Sequence, residues 1–208
     1  MQQGNTVQGQ LRVWDAFVRI SHWTMVLLFA SAFLTGEFRS NEIHIWLGYG
    51  VGALLLARLI WGVMGSPYAR IRTWLFSPAE TLEYLTDSVK GHPRDYLGHN
   101  PLGALMVIAL VVMISAMVTS GLLIAGAIEF EGPLVDITRT MSDARAYALR
   151  SLHEILAVFT LFLISLHVLG AIVASIQHHE NLIKAMFTGY KKYPPSSAPA
   201  PSAERREK

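Results

Sequence analysis

The sequence contains no cysteine. That absence excludes disulfides, thiolate zinc sites, cysteine-held iron–sulfur clusters and covalent haem attachment through a C-x-x-C-H motif. Any haem would have to be held non-covalently, as b-type haem is. Charge is scarce too: Asp, Glu, Lys and Arg make up 15% of the residues, whereas a soluble domain carries about 25%. The opening stretch, MQQGNTVQGQ, lacks the basic n-region and apolar h-region of a cleaved signal peptide. The first apolar segment is therefore expected to insert directly and stay. No internal repeat stands out, and nothing in the chain calls for nucleic acid as a partner.

What the sequence has instead is apolar length. Of its 208 residues 52% are hydrophobic, and they collect into four runs, 20–36, 45–65, 102–128 and 152–174. Each run is near the roughly 17–25 residues that a spanning helix needs. An amphipathic lead-in extends the first run, and the spans are placed at about 15–36, 44–65, 101–128 and 150–176. The expected fold is all-α: an integral membrane four-helix bundle forming one domain over 11–190. A polar N-terminal segment, 1–10, precedes it. A Pro-, Ser- and Ala-rich tail, 191–208, follows and is expected to be disordered.

Basic residues alternate in density from one side of the bundle to the other. One side carries Arg12, Arg19, Arg58, Arg70, Arg72, Lys90, Arg94, Lys184, Lys191, Lys192, Arg205, Arg206 and Lys208. The other carries Arg39, Arg139, Arg145 and Arg150. The positive-inside rule places both termini and the long loop 66–100 in the cytoplasm of a bacterial inner membrane. Within that loop Ser77, Pro78 and Glu80 form a helix-start signature, and Gly91 a stop, which predicts a surface helix over 78–90.

Histidines are the residues that carry chemistry. His153 and His167 are separated by 14 residues on the fourth span, which is roughly 21 Å of helix and a return to within about 40° of the same face. Ionisable groups inside a span are costly and point to function. His22 lies near the inner end of the first span and His44 at the outer start of the second. Depth therefore pairs His22 with His167 inside and His44 with His153 outside. Each pair draws on two helices, as bundle cores do when they hold a cofactor. A lone histidine at a membrane interface can simply anchor or hydrogen-bond, but four matched as two pairs fit two bis-imidazole haem sites. Two-histidine sites with no carboxylate or thiolate nearby would be poor zinc sites.

Arg58 repeats the same 14-residue spacing after His44 and reaches the inner level. There an arginine needs an anionic partner or water; a haem propionate or a quinone oxygen would serve. Arg19, one turn before His22, has the same option, and both could instead snorkel to headgroups. Gly48 and Gly52 admit either a macrocycle or a neighbouring helix. Trp23, Trp46, Trp61 and Trp74 read most simply as interfacial belt residues. His92, His99, His178 and His179 are expected to be solvated, with His99 placed to approach a quinone at the inner surface.

These residues resemble the bacterial cytochrome b561 group and the related b-type cytochrome subunits of nickel–iron hydrogenase and formate dehydrogenase. The resemblance rests on Arg19-Ile20-Ser21-His22-Trp23, on His44, and on His153 with His167, and covers about residues 11–178. Tyr96-Leu97-Gly98-His99-Asn100-Pro101 looks like a recurring feature of small stand-alone members. The resemblance implies two b haems, with His22 and His167 on the cytoplasmic one and His44 and His153 on the periplasmic one. It also implies a quinone site near one haem. The expected role is electron transport in a respiratory chain, between the quinone pool and a periplasmic partner such as a c-type cytochrome or a dehydrogenase subunit. The alternatives are a membrane-anchor subunit of a hydrogenase or dehydrogenase, a stand-alone superoxide:quinone oxidoreductase, and a haem-free transporter or scaffold.

Overall fold

The computed structural model describes residues 6–7, 10–38 and 41–192. Two short strands, β1 (Thr6–Val7) and β2 (Gln10–Arg12), lead into α1 (Ala16–Glu37) and α2 (Asn41–Met64). Two 3-10 turns, Pro67–Ala69 and Ile71–Trp74, connect to α3 (Pro78–Val89). Then follow α4 (Pro101–Ile124) with a π-helical extension Ala125–Glu129, α5 (Val135–Thr138), α6 (Asp143–Gln177), α7 (Leu182–Thr188) and β3 (Tyr190–Lys192).

Four of these helices, α1, α2, α4 with its extension, and α6, are long and apolar enough to cross a membrane. Their starts follow local chemistry. Asp15 caps α1 by accepting from Val18 N at 2.8 Å. Asn100 caps α4 by accepting from Gly103 N at 2.7 Å, with Pro101 at the first position. The helix expected over 78–90 forms as α3, opened by the reciprocal Ser77–Glu80 capping box and followed by Gly91 at φ +79°. The 35-residue α6 begins seven residues before the expected span, at Asp143.

α1 packs on α2, α4 on α6, and α2 on α4. The most closely packed core lies elsewhere, at the end of the bundle where the described termini meet. There Val13, Trp14, Val18, Ala69 and Ala185 cluster, with Leu11, Trp61, Tyr68 and Met186 around them. β2 pairs antiparallel with both β1 and β3, in the register Leu11 opposite Lys191. The Gly189 carbonyl accepts from the amides of Val13 and Trp14 at 2.9 and 3.1 Å. Gly189 holds φ +89°, and a side chain there would run into the Trp14 carbonyl. This miniature sheet ties the N-terminal entry of α1 to the exit of α7.

It also corrects the expected boundary of the tail. Residues 191 and 192 are strand, and Lys191 is buried, its ammonium 3.5 Å from Glu180 and donating to the Tyr96 carbonyl at 2.9 Å. The remainder of the expected disordered tail, with Arg205, Arg206 and Lys208, lies outside the described residues, as does Arg39.

Asp15 is the hub of this terminal cap. Besides capping α1 it accepts from Trp61 Nε1 at 3.0 Å and Ser66 Oγ at 2.5 Å. Burial raises the carboxyl's pKa, but these hydrogen bonds outweigh it and hold the group below its ordinary value of 3.8. Asp15 therefore stabilises the fold above the unfolded pKa, and that contribution is lost as pH falls through the folded one. Asp15→Ala is expected to cost about 1–2 kcal/mol, read as a lower thermal midpoint in detergent at pH 7, with the deficit relative to wild type shrinking below pH 4.

Candidate functional site

The four histidines singled out by depth come together as two pairs. At the end away from the termini, the rings of His44 on α2 and His153 on α6 are 6.1 Å apart between centroids and nearly perpendicular, at 85°. His44 Nδ1 donates to the Ala32 carbonyl of α1 at 2.8 Å. His153 Nδ1 is 2.8 Å from Ser120 Oγ on α4, and Ser120 gives its own proton to the Met117 carbonyl at 3.0 Å. A hydroxyl has one proton, so the Ser120 oxygen accepts from His153. Both Nδ1 atoms thus carry the hydrogen, and both Nε2 lone pairs are left for a ligand, the arrangement that orients metal-bound imidazoles. Gly36 and Gly121 make room for the rings, since an added Cβ would lie 3.0 Å from His44 Nδ1 or 3.3 Å from His153 Cε1.

At the terminal end, His22 of α1 faces His167 of α6 with centroids 6.4 Å apart and planes inclined at 51°. His22 Nδ1 is buried with no hydrogen-bond partner, and its ring meets Trp23 edge-on. Arg19 donates to the Phe187 carbonyl while its Nε is buried without a partner. Phe187 in turn stacks on Trp23 at 4.2 Å.

Neither pair is on helices that pack closely: among the described residues the extensive backbone contacts are those of α1 with α2, α4 with α6 and α2 with α4, not of α1 or α2 with α6. The rings therefore face each other across gaps. An added Cβ at Gly48, one turn from His44, or at Gly170, one turn from His167, meets nothing within 4 Å. The centroid separations of 6.1 and 6.4 Å leave room for one metal ion held at about 2.0–2.1 Å, the metal–imidazole distance known for zinc, between each pair of rings. Among the described residues no three His, Asp or Glu side chains converge to form a metal-binding group, so an ion at either pair would need its other ligands from a macrocycle. The residues fit haem.

Comparison with protein families matches residues 13–189 to prokaryotic cytochrome b561. The chain belongs to that family. A search of curated proteins found no matching relative. As a cytochrome b561 the chain is a multi-pass membrane protein of the b-type cytochromes, a group that binds b haem and transfers electrons.

Arg58 does not run out to the headgroups. It lies over the Trp74 ring at 5.0 Å and donates to the Ala69 carbonyl at 3.3 Å. Trp74 is buried and Trp61 is bonded to Asp15, so neither is a simple belt residue, whereas Trp46 is exposed. His99, expected to be solvated, sits against Trp14 and Trp74 at 4.8 and 6.3 Å, and its Nδ1 is buried without a partner. Burial, with the Arg58 charge second, pushes its pKa down to about 3, so the ring is neutral. His99 also lines a cleft of about 520 Å3 with Tyr68, Arg72, Asp95, Tyr96 and Leu97. His178 is likewise held by protein partners, and His92 is exposed as expected.

The two flagged glycines separate. A Cβ at Gly52 would press on Val118 of α4 at 3.0 Å, so Gly52 serves helix packing, while Gly48 borders open space. Gly52→Ala is expected to lower the thermal midpoint by overpacking, a cost of about 1–3 kcal/mol, without changing the ratio of haem to protein absorbance. Gly48→Ala, whose added Cβ meets no protein atom within 4 Å, is expected to leave the midpoint unchanged and to lower that ratio.

Proposed function

We propose that the chain is a di-haem electron carrier linking the quinone pool to a redox partner at the periplasmic face. The observation that supports this best is the arrangement on α6, whose His153 and His167 face His44 and His22 at opposite ends of one helix. In this reading those four imidazoles would hold two b haems, which would supply one-electron transfer across the membrane. The Ala32 carbonyl and Ser120 fix the tautomers of His44 and His153 and raise their basicity, so that each would offer its Nε2 to a haem iron. The positive-inside distribution supports a cytoplasmic terminal end. There Arg19, whose buried Nε has no protein partner, and Arg58 offer positive charge to propionates or to a quinone oxygen.

The quinone is assigned to the terminal end, beside the neutral ring of His99. A cleft of about 520 Å3 flanked by aromatic and polar groups is of the size that takes such ligands. The periplasmic partner is a c-type cytochrome, a dehydrogenase or hydrogenase subunit, or a small oxidant or reductant such as superoxide. Copurification and rapid mixing with superoxide separate these.

The ligand pairing is tested by a visible redox titration of single alanine variants. His22→Ala and His167→Ala are expected to lose the same spectral and potentiometric component, and His44→Ala and His153→Ala the other. Grouping of His22 with His153 would overturn the pairing. Colourless wild-type protein would overturn the reading as a whole.

A further inference from the structure

The two histidine pairs have different surroundings. At the end away from the termini both rings give their Nδ1 hydrogen to a protein acceptor, His44 to the Ala32 carbonyl and His153 to Ser120 Oγ, each at 2.8 Å. Ser120 is 4% exposed, and its own hydrogen goes to the Met117 carbonyl at 3.0 Å. The hydroxyl is thereby held with a lone pair toward the imidazole, inside the bundle where water does not compete for it. At the terminal end His22 Nδ1 is buried with no partner. Both rings thus have an acceptor at one end, and at most one ring has one at the other.

Charge differs in the same sense. Arg19 precedes His22 by one turn of α1, and Arg58 lies within electrostatic reach of His99, as His167 does. Neither guanidinium forms an ion pair with a carboxylate among the described residues, and Asp15 acts on Arg58 only at longer range. At the other end Glu154 follows His153 directly, and Arg150 balances it at 3.2 Å. An acceptor on Nδ1–H strengthens donation from Nε2, which stabilises the more positive, oxidised state of a bound iron and lowers its potential. Positive charge nearby stabilises the reduced state and raises the potential. Both effects set the two ends apart in the same direction.

We propose that Ser120, acting through His153, is a positioning residue that together with the Ala32 carbonyl makes the His44–His153 site the lower-potential of the two, an inference that rests on the two-haem reading above. In a chain holding a single electron, the iron between His22 and His167 would be ferrous and the iron between His44 and His153 ferric. The downhill direction along α6 would then run from the His153 end to the terminal end, where the quinone is assigned. The direction is written into α1 and α4, which give acceptors to one ring pair and leave His22 of the other without one.

The test uses the full haem-loaded chain in lipid nanodiscs, brought to half reduction and read by low-temperature electron paramagnetic resonance. Nearly perpendicular axial rings give the more anisotropic ferric signal. Half-reduced wild type is expected to keep that signal, from the 85° His44–His153 pair, and to lose the signal of the 51° pair. Ser120→Thr and Ser120→Val then separate the hydrogen bond from packing, since the two side chains share a shape and only threonine keeps the acceptor oxygen. In a visible redox titration Ser120→Thr stays at the wild-type potentials, whereas Ser120→Val raises the lower-potential component alone. The expected change is about three- to tenfold in its reduced-to-oxidised ratio at fixed ambient potential, the worth of one hydrogen bond, or about 30–60 mV for a one-electron couple. A half-reduced protein that keeps the less anisotropic signal, or both in equal part, would overturn the ordering while leaving the two-haem reading intact. Equal potentials in Ser120→Thr and Ser120→Val would overturn the role of Ser120. A wild-type protein with a single low-spin species would overturn the two-haem reading and the ordering with it.

Discussion

An imidazole inside a bilayer has two nitrogens to satisfy and no water with which to do so. This constraint organises the membrane domain. At the end away from the termini, α1 and α4 each contribute one acceptor, the Ala32 carbonyl and Ser120, and each satisfies one nitrogen of a facing ring. The second nitrogen of each is left free between helices that make no extensive contact. Hydrophobic packing does not explain this separation, since α1 on α2 and α4 on α6 pack closely beside it. A planar, apolar, metal-bearing cofactor fills such a space and takes the free lone pairs in one step.

If part of the bundle interior is given to cofactor, the polypeptide must hold itself together elsewhere. Its closest-packed cluster is the terminal cap, where Val13, Trp14, Val18, Ala69 and Ala185 meet beneath a three-stranded sheet. Asp15 joins the start of α1 to Trp61 and Ser66 near the end of α2. Lys191 joins β3 to the Tyr96 carbonyl and to Glu180. The same cap brings Arg58, Trp74 and His99 together beneath the His22–His167 pair. Stability and the chemistry assigned to this end of the bundle therefore draw on one set of residues.

Much of this was legible in the sequence because a membrane imposes strong periodic constraints. Four apolar runs gave four helices, and the spacing of His153 and His167 with the depths of His22 and His44 gave both ring pairs. Local capping chemistry gave α3 almost to the residue. Nothing in composition reveals that Tyr190–Lys192 returns to pair with Gln10–Arg12, because strands this short carry no alternation to read. For the same reason Lys191 read as tail. His99 and His178 read as solvated because their loop context is polar. Their burial depends on contacts with Trp14, Trp74 and Tyr84, which come from other elements. The spacing of Arg58 calls for an anionic partner or water, whereas its contacts with the Trp74 ring and the Ala69 carbonyl follow only from the fold.

The central claim is that each pair of histidines is the axial ligand set of one haem, two per chain. Low-temperature electron paramagnetic resonance of the oxidised protein tests it most directly, because the signal depends on the angle between axial imidazole planes. Near-perpendicular rings leave the iron orbitals almost degenerate and give a steeply anisotropic low-spin signal. The account predicts two low-spin ferric species in equal amount, the one from the 85° His44–His153 pair being the more anisotropic. A single low-spin species, or a stoichiometric high-spin signal from iron with one axial ligand, would contradict it.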